Sequence, residues 1–246
     1  MNAIGIIPAR YASTRFPGKP LVMIQGKSMI QRVYEQACKC TALMEVVVAT
    51  DHQEIYDHVG LFGKVVMTKH THSSGTDRCL EALSLVNNGR YGPRDIVVNI
   101  QGDEPFVNPL QIEMLIGLFA EKHCQIGSLI KKIEKREELF DTNVVKVVVG
   151  SDKKAIYFSR ATVPHYRDLP ADLWAQKGAF YKHLGMYGYR VETLEKIGQL
   201  SQGVLEKAES LEQLRWIENG FDIYVNETGL EHLAIDTPED LKKIVE

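Results

Sequence analysis

Residues 1–20 read MNAIGIIPARYASTRFPGKP, a short apolar run followed at once by a cationic loop. Residues 3–7 are apolar, rich in Ile and stopped by Pro8, the signature of a buried strand. The loop 8–20 then carries Arg10, Arg15 and Lys19. Downstream the same alternation repeats. Strands are expected at 45–50, 64–67 and 96–100. Amphipathic helices are expected at 28–40, 76–86 and 109–122, the last with Asn108 as N-cap and Pro109 at its first position. Near-continuous apolar strands alternating with helices predict an α/β fold, a mostly parallel sheet with helices on both faces. Ligands of such sheets sit beyond the carboxyl ends of the strands. The segments 8–20, 51–52, 68–76 and 101–105 are therefore where chemistry is sought.

After a strand at 126–130 the pattern changes. Residues 144–149 and 155–159 predict a hairpin around Gly150, Ser151 and Asp152. Residues 160–181 look irregular and aromatic. A strand at 184–190, helices at 191–200 and 210–219, a strand at 223–225 and a last helix from Pro238 complete the reading. No linker, repeat or low-complexity segment divides the chain, so one domain, 1–246, with an antiparallel portion inserted at 144–190, is the simplest organisation.

With 246 residues, 44% hydrophobic and 25% charged, the chain is neither disordered nor collagen-like. At this length roughly 70% of the unfolded surface can be buried. No apolar run approaches the ~18 residues of a membrane span. The apolar start is too short for a signal peptide and is broken by Pro8 and Arg10, so a cytoplasmic location without membrane insertion is expected. Lys and Arg number 29 against 32 Asp and Glu, a net charge of −3, which argues against a general nucleic-acid binder. Yet residues 1–34 contain no acid at all. A purely cationic opening on a slightly acidic chain can focus a field on an anionic small molecule. Cys38, Cys40, Cys79 and Cys124 lack zinc spacing and read as small hydrophobes in a reducing compartment.

Four segments carry the candidate chemistry. The loop 8–20 suits a polyphosphate, because fixed cations attract an anion at ~4 Å by roughly 4 kcal/mol at an effective dielectric of 20. It is no Walker A loop, having Ser13 and Pro20 where Gly and Ser or Thr are needed; the alternative is a solvated basic loop. In the segment 99–105, NIQGDEP, Gly102 permits close approach of a ligand and Asp103 projects from a strand end. One carboxylate there suits Mg²⁺, which keeps waters and phosphate oxygens, although an Asp-containing turn is equally served. Asp236 lies outside the cap of the last helix and offers a second carboxylate for the same metal, or simply favourable charge at a helix start. In HSSGTDR, 72–78, Ser74 or Thr76 can cap the following helix. Alternatively Ser74 and the loop amides read a base edge, with Arg78 facing an anion.

Taken in order, PAR at 8–10 with Arg15 and PGKP at 17–20, HSSGTDR at 72–78, NIQGDEP at 99–105, YFSR at 157–160, HLGMYGYR at 183–190, LEQLR at 211–215 and DTPEDL at 236–241 resemble the 3-deoxy-manno-octulosonate cytidylyltransferases, the CMP-Kdo synthetases. The resemblance runs from the first strand to the last helix. It implies a Rossmann-like nucleotidyltransferase fold in which 144–190 serves sugar binding and dimerisation. It implies the reaction of CTP with the acidic sugar 3-deoxy-manno-octulosonate (Kdo), giving CMP-Kdo for lipopolysaccharide assembly and pyrophosphate, with Mg²⁺ and in a homodimer. By this resemblance Arg10 and Lys19, assisted by Arg15, hold the triphosphate; Pro8, Ala9, Ser74 and Gly75 face the nucleotide; and Asp103 and Asp236 hold the metal. Arg78, Gln101, Arg160, His183, Tyr187, Glu212 and Gln213 are then placed around the sugar. Arg10, Lys19, Asp103 and Asp236 would carry the catalysis by positioning and charge neutralisation, without a covalent intermediate. Phe16 stands where Leu is usual, and 164–167 (PHYR) is less charged than the family pattern, which leaves 8-amino-Kdo or sialic acid as alternative sugars. A uridylyl- or guanylyltransferase and a non-catalytic nucleotide sensor are the remaining alternatives.

Overall fold

The computed structural model describes residues 1–12, 16–231, 235 and 240–241. The expected first strand forms and extends two residues further, as β1 (Ala3–Ala9). A small hairpin follows, β2 (Met23–Ile24) and β3 (Lys27–Ser28), then α1 (Met29–Ala37), β4 (Glu45–Thr50), α2 (Gln53–Gly60), β5 (Val65–Met67), α3 (Gly75–Val86), β6 (Ile96–Asn99) and α4 (Pro109–Gly117). The remainder comprises β7 (Ile126–Lys132), α5 (Arg136–Phe140), β8 (Lys146–Val149), β9 (Ala155–Ser159), α6 (Trp174–Lys177) and β10 (Tyr181–Arg190). Last come α7 (Val191–Ile197), α8 (Val204–Glu209), α9 (Gln213–Glu218) and β11 (Ile223–Glu227). The expected helix from Pro238 lies outside the described residues, apart from helical Asp240 and Leu241.

Among the described residues the main sheet has nine strands, in the order β11-β7-β10-β6-β1-β4-β5, with β8 and β9 joined through β10. β1 pairs in parallel with β4 and β6, β4 with β5, and β7 with β11. β10 alone is reversed along that order, antiparallel to both β6 and β7. The expected hairpin is therefore not a separate layer: β9 pairs β8, and β8 hangs on β10 inside the same sheet.

The period-2 alternation of β1 splits the core in two. Ile4 and Ile6 face Cys79 and Leu83 of α3, Leu194 of α7 and Trp216 of α9. Ala3, Ile7 and Ala9 face Ile30 and Val33 of α1, Ile55 of α2 and Ile112 of α4. Each fully buried aliphatic side chain contributes ~1.5–3 kcal/mol, so both faces must be covered. Ser74 and Asn108 cap as expected, and Ser28, expected as the first residue of its helix, is its cap instead. The Ser28 hydroxyl accepts from the Gln31 amide at 3.2 Å, the Ser74 hydroxyl from Asp77 at 3.1 Å, and Asn108 forms a capping box with Gln111.

Three local expectations shift. Strand β8 begins at Lys146, whose buried ammonium donates to the carbonyls of Asp141 and Val144 at 2.8 and 2.6 Å and so takes Val144 out of the ladder. The segment 160–181 is not wholly irregular: residues 171–173 form a 3₁₀ turn leading into α6. Its aromatics are used within the chain, since Phe180 is fully buried and Trp174 stacks on it with centroids 6.0 Å apart. Helix α9 starts three residues later than expected, behind Ser210, which takes a left-handed φ of 52°.

The chain runs from β1 outward to β4 and β5, then returns to the other side of β1 as β6. That reversal leaves a crevice at the carboxyl ends of β1 and β6. The walls are very close. A Cβ at Gly102 would lie 2.8 Å from the Pro8 carbonyl oxygen, and one at Gly75 would lie 3.4 Å from Pro8 Cγ. No helix is long and apolar enough to cross a membrane among the described residues.

Two stability outcomes follow. Arg215 of α9 grips the buried Glu206 of α8 through two bonds of 2.8 and 2.6 Å. Arg215→Met strands that carboxylate and should lower unfolding free energy by about 3–5 kcal/mol in urea titration, whereas Arg215→Met with Glu206→Leu should recover most of the loss. Gly102→Ala forces β1 and β6 apart at the crevice and should cost about 1–3 kcal/mol; an unshifted urea midpoint would show that the approach to Pro8 is not tight.

Candidate active site

Lys19 opens the 3₁₀ turn that ends the basic loop, behind Gly18 at φ 69°. Its ammonium reaches across the crevice to Asp103 Oδ2 at 2.8 Å, with the lysine side chain 11% and the aspartate side chain 32% exposed. Asp103 Oδ1 has no partner among the described residues. Arg10, one residue beyond β1, is exposed and has no partner among the described residues. Ala9 turns its methyl group into the core, so only its backbone borders the crevice. Arg15 and Asp236 lie outside the described residues. Ile235, next to Asp236 in sequence, is buried against Ile24 and Met29, and its amide donates to the Asp103 carbonyl at 3.0 Å.

The third wall is the N-terminus of α3. Gly75 packs on Pro8 and beside the Asn99 amide, whose Oδ1 is buried without a partner among the described residues. Ser74 caps the helix, as expected, and its hydroxyl also bonds the Glu212 carboxylate. Thr76 Oγ1 donates to the same carboxylate at 3.0 Å and lies 3.4 Å from the Tyr189 hydroxyl. Ser74 and Gly75, expected on the nucleotide side, and Glu212, expected on the sugar side, are thus joined at one helix end. Burial raises the Glu212 carboxyl above the usual carboxylate range, against the hydrogen bonds from Ser74 and Thr76 that pull it down.

Beside Glu212 lies an aromatic wall. Tyr187 stacks on Tyr189 and meets Trp216 edge-on. Burial pushes both tyrosine phenols well above their ordinary range. The Tyr187 hydroxyl is buried with no hydrogen-bond partner among the described residues. A donor left unpaired in the interior costs about 1–3 kcal/mol and calls for an explanation. His183 leans on the Tyr187 ring and shares a hydrogen bond with the Ser128 hydroxyl at 2.9 Å. Gln101 Nε2 donates to the Gly185 carbonyl at 2.7 Å, binding the end of β6 to β10. Gln213 is buried in the first turn of α9, 5% exposed.

The Arg160 guanidinium donates to the carbonyls of Glu209 at 2.7 Å, Thr142 at 3.2 Å and Ser210 at 3.3 Å. Among the described residues no carboxylate is ion-paired with it. The Glu209 carboxylate instead accepts from the Arg160 amide and the Ser159 hydroxyl.

Arg78 requires a correction. It points away from the crevice, is fully buried, and donates to Asp51 Oδ2 at 2.7 Å and Thr68 Oγ1 at 2.6 Å. It is a clasp tying α3 to the ends of β4 and β5, and its fully buried side chain has both terminal nitrogens already bonded within the fold. Its neighbour Thr76, treated in the sequence as a cap, is instead the residue that links Glu212 to α3. Asn99 was quoted within the motif NIQGDEP but given no role, although an amide ending the apolar strand IVVN was a visible signal.

The comparisons with known proteins agree with this geometry. A family model described as cytidylyltransferase matches residues 4–228. A 3-deoxy-manno-octulosonate cytidylyltransferase of Cytophaga hutchinsonii is 50% identical over 99% of this chain and 96% of its own. That of Parabacteroides distasonis is likewise 50% identical, over 99% and 96%. Among solved structures, a CMP:2-keto-3-deoxy-manno-octonic acid synthetase complexed with CTP superposes with a TM-score of 0.90 at 39% identity, covering 100% of this chain and 97% of that one. The crevice between β1 and β6 and the sequence around it place this chain in the 3-deoxy-manno-octulosonate cytidylyltransferase family.

Proposed function

We propose that this chain transfers CMP from CTP to Kdo and releases pyrophosphate. The observation that carries the reading is the Lys19–Asp103 pair across the β1/β6 crevice. It stands beside an α3 N-terminus that shares its Ser74 and Thr76 with Glu212. One crevice thereby offers a cation and a carboxylate for a polyphosphate, and next to them a polar and aromatic recess for a sugar. The activities named for the 50% identical relatives support the same reading.

In this reading the sugar's anomeric oxygen forms a bond to the α-phosphorus as the bond to the bridging oxygen breaks. The leaving pyrophosphate needs charge placed on it in advance, and preorganised cations supply most of the acceleration in such displacements. Lys19 and Arg10 provide it, Lys19 from a fixed position and Arg10 from the exposed rim, with Arg15 as the third cation of the loop. Backbone of Pro8 and Ala9, with Ser74 and Gly75, borders the nucleoside. Arg160, with no carboxylate ion-paired with it among the described residues, suits bidentate recognition of the sugar carboxylate. The orphaned Tyr187 hydroxyl, with His183, Gln101, Glu212 and Gln213, lines the recess for the sugar's hydroxyls.

Asp103 fits Mg²⁺: it is a hard oxygen donor, partly exposed, with Oδ1 uncommitted, and Mg²⁺ needs few protein ligands. Asp103 and Asp236 would hold it, and the Asp103 carbonyl bond from Ile235 supports pairing these two segments. When bound there, the ion supplies charge neutralisation for the triphosphate. The free cysteines support a reducing, cytoplasmic setting. Burial holds the Cys124 thiol up at about 12, which keeps it inert. Homodimerisation is assigned to the 144–190 portion, where Ile156 stands 58% exposed on β9.

Pyrophosphate release from CTP, Mg²⁺ and Kdo tests the reading directly, with sialic acid and 8-amino-Kdo as comparators. Turnover is expected with Kdo; release from another nucleoside triphosphate but not CTP would overturn it. Asp103→Asn should retain CTP binding while kcat falls by about 10²–10³, the usual size for removing one transition-state contact. The raised Glu212 carboxyl stabilises the fold in its protonated form, a contribution lost as pH climbs from the ordinary 4.5 through the raised value. Glu212→Gln should therefore gain stability over the parent chain as pH is taken upward through that window, in paired urea titrations at acid and neutral pH. Parallel pH profiles for the two proteins would show that the carboxyl is ionised without cost.

A further inference from the structure

The basic loop is tied at its base. The Gly18 amide donates to the Tyr11 carbonyl at 3.0 Å. A Cβ on Gly18 would meet the Tyr11 ring at 3.6 Å. The tyrosine therefore forms the seat from which the next residue, Lys19, is presented to Asp103. The Tyr11 ring is itself stacked on the imidazole of His52, centroids 3.9 Å apart and planes inclined by 14°.

His52 is an unusual occupant of its position. It is the N-cap of α2, yet its side chain makes no capping bond. Ser, Thr, Asp or Asn would cap there. Its Nδ1 is also buried with no hydrogen-bond partner among the described residues. Both features cost stability, and neither helps α2 to form. What the imidazole does contribute is a flat face for Tyr11. The platform beneath is rigid: Asp51 is clasped by Arg78 at 2.7 Å, and the His52 amide donates to Thr50 Oγ1 at 3.3 Å.

We propose that His52 is a positioning residue for nucleotide binding: stacked on Tyr11, it holds the base of the phosphate loop so that Lys19 stays registered on Asp103. The proposal rests on the CTP reading above, and it assigns His52 no contact with substrate. The β4 end, which carries no charge for the triphosphate, thereby sets where the loop's charge is presented.

The test compares His52→Ala, His52→Asn and His52→Phe in the full chain. CTP binding is measured by calorimetry, steady-state constants by pyrophosphate release, and amide hydrogen exchange at Gly18 without ligand. Ala and Asn should weaken CTP binding about tenfold, equal to about 1.4 kcal/mol. They should raise KM for CTP in step and lower kcat as well, because Lys19 also carries charge for the leaving pyrophosphate, while the sugar KM stays within about twofold. Gly18 exchange should quicken in both. Asn retains a good N-cap, so its defect cannot be blamed on fraying of α2. Phe restores an aromatic face and should bring CTP binding back to within about threefold of the parent. Parent-like affinity and Gly18 protection in folded Ala and Asn variants would overturn the proposal. So would a Phe variant as impaired as Ala, which would assign the effect to the imidazole nitrogens. Failure of the parent chain to bind CTP would sink the functional reading instead, and Gly18 exchange would still decide whether His52 braces the loop.

Discussion

A carbonyl oxygen facing a residue with no side chain governs this molecule. Pro8 O and Gly102 approach so closely that a methyl group would stand 2.8 Å from the oxygen. Because β1 and β6 can close to that distance, the loops that leave them are also brought together. Lys19 and Asp103, 84 residues apart in sequence, then meet at 2.8 Å. The same proline ring seats Gly75, so a third element, the start of α3, is fixed by the same few atoms. Backbone proximity sets the site, and the charges follow from it.

The second half of the site is attached through hydroxyls rather than through backbone. Ser74 and Thr76 both turn to Glu212, and Glu212 stands at the start of α9. That helix is held in turn by the Arg215–Glu206 pair. Two groups here are kept in states that water would not favour: a carboxyl whose pKa burial raises, and a tyrosine hydroxyl without a partner among the described residues. Local rules are broken at such places where a ligand repays the cost.

Much of this was legible in the chain. Strands 45–50 and 155–159 formed at the expected bounds, the first because a run such as VVVA suits a place between two covered faces. The caps Ser74 and Asn108 were legible because they act within three residues of themselves. Lys19 and Asp103 could be named because charge after a buried strand has a restricted place to go. Arg78 was misjudged for the opposite reason. A charged residue in a polar motif looks like a ligand group, and only the fold reveals that Asp51 and Thr68 have already claimed it. Helix α2, with just Ile55 and Val59 buried along its inner face, was too sparse a pattern to announce itself. The stack of Tyr11 on His52 joins positions 41 apart through ring faces, and no spacing in a sequence encodes that.

Strand β10 runs against its neighbours, yet it lies between β6 and β7 and bonds to both. The side of the sheet that carries the crevice and the side that carries β7 and β11 therefore share one floor. Among the described residues the hydrogen-bonded ladder crosses that floor without a break. The spacing of the two walls is thereby set by the sheet itself, and the segments that leave the strand ends are what differ from one side to the other.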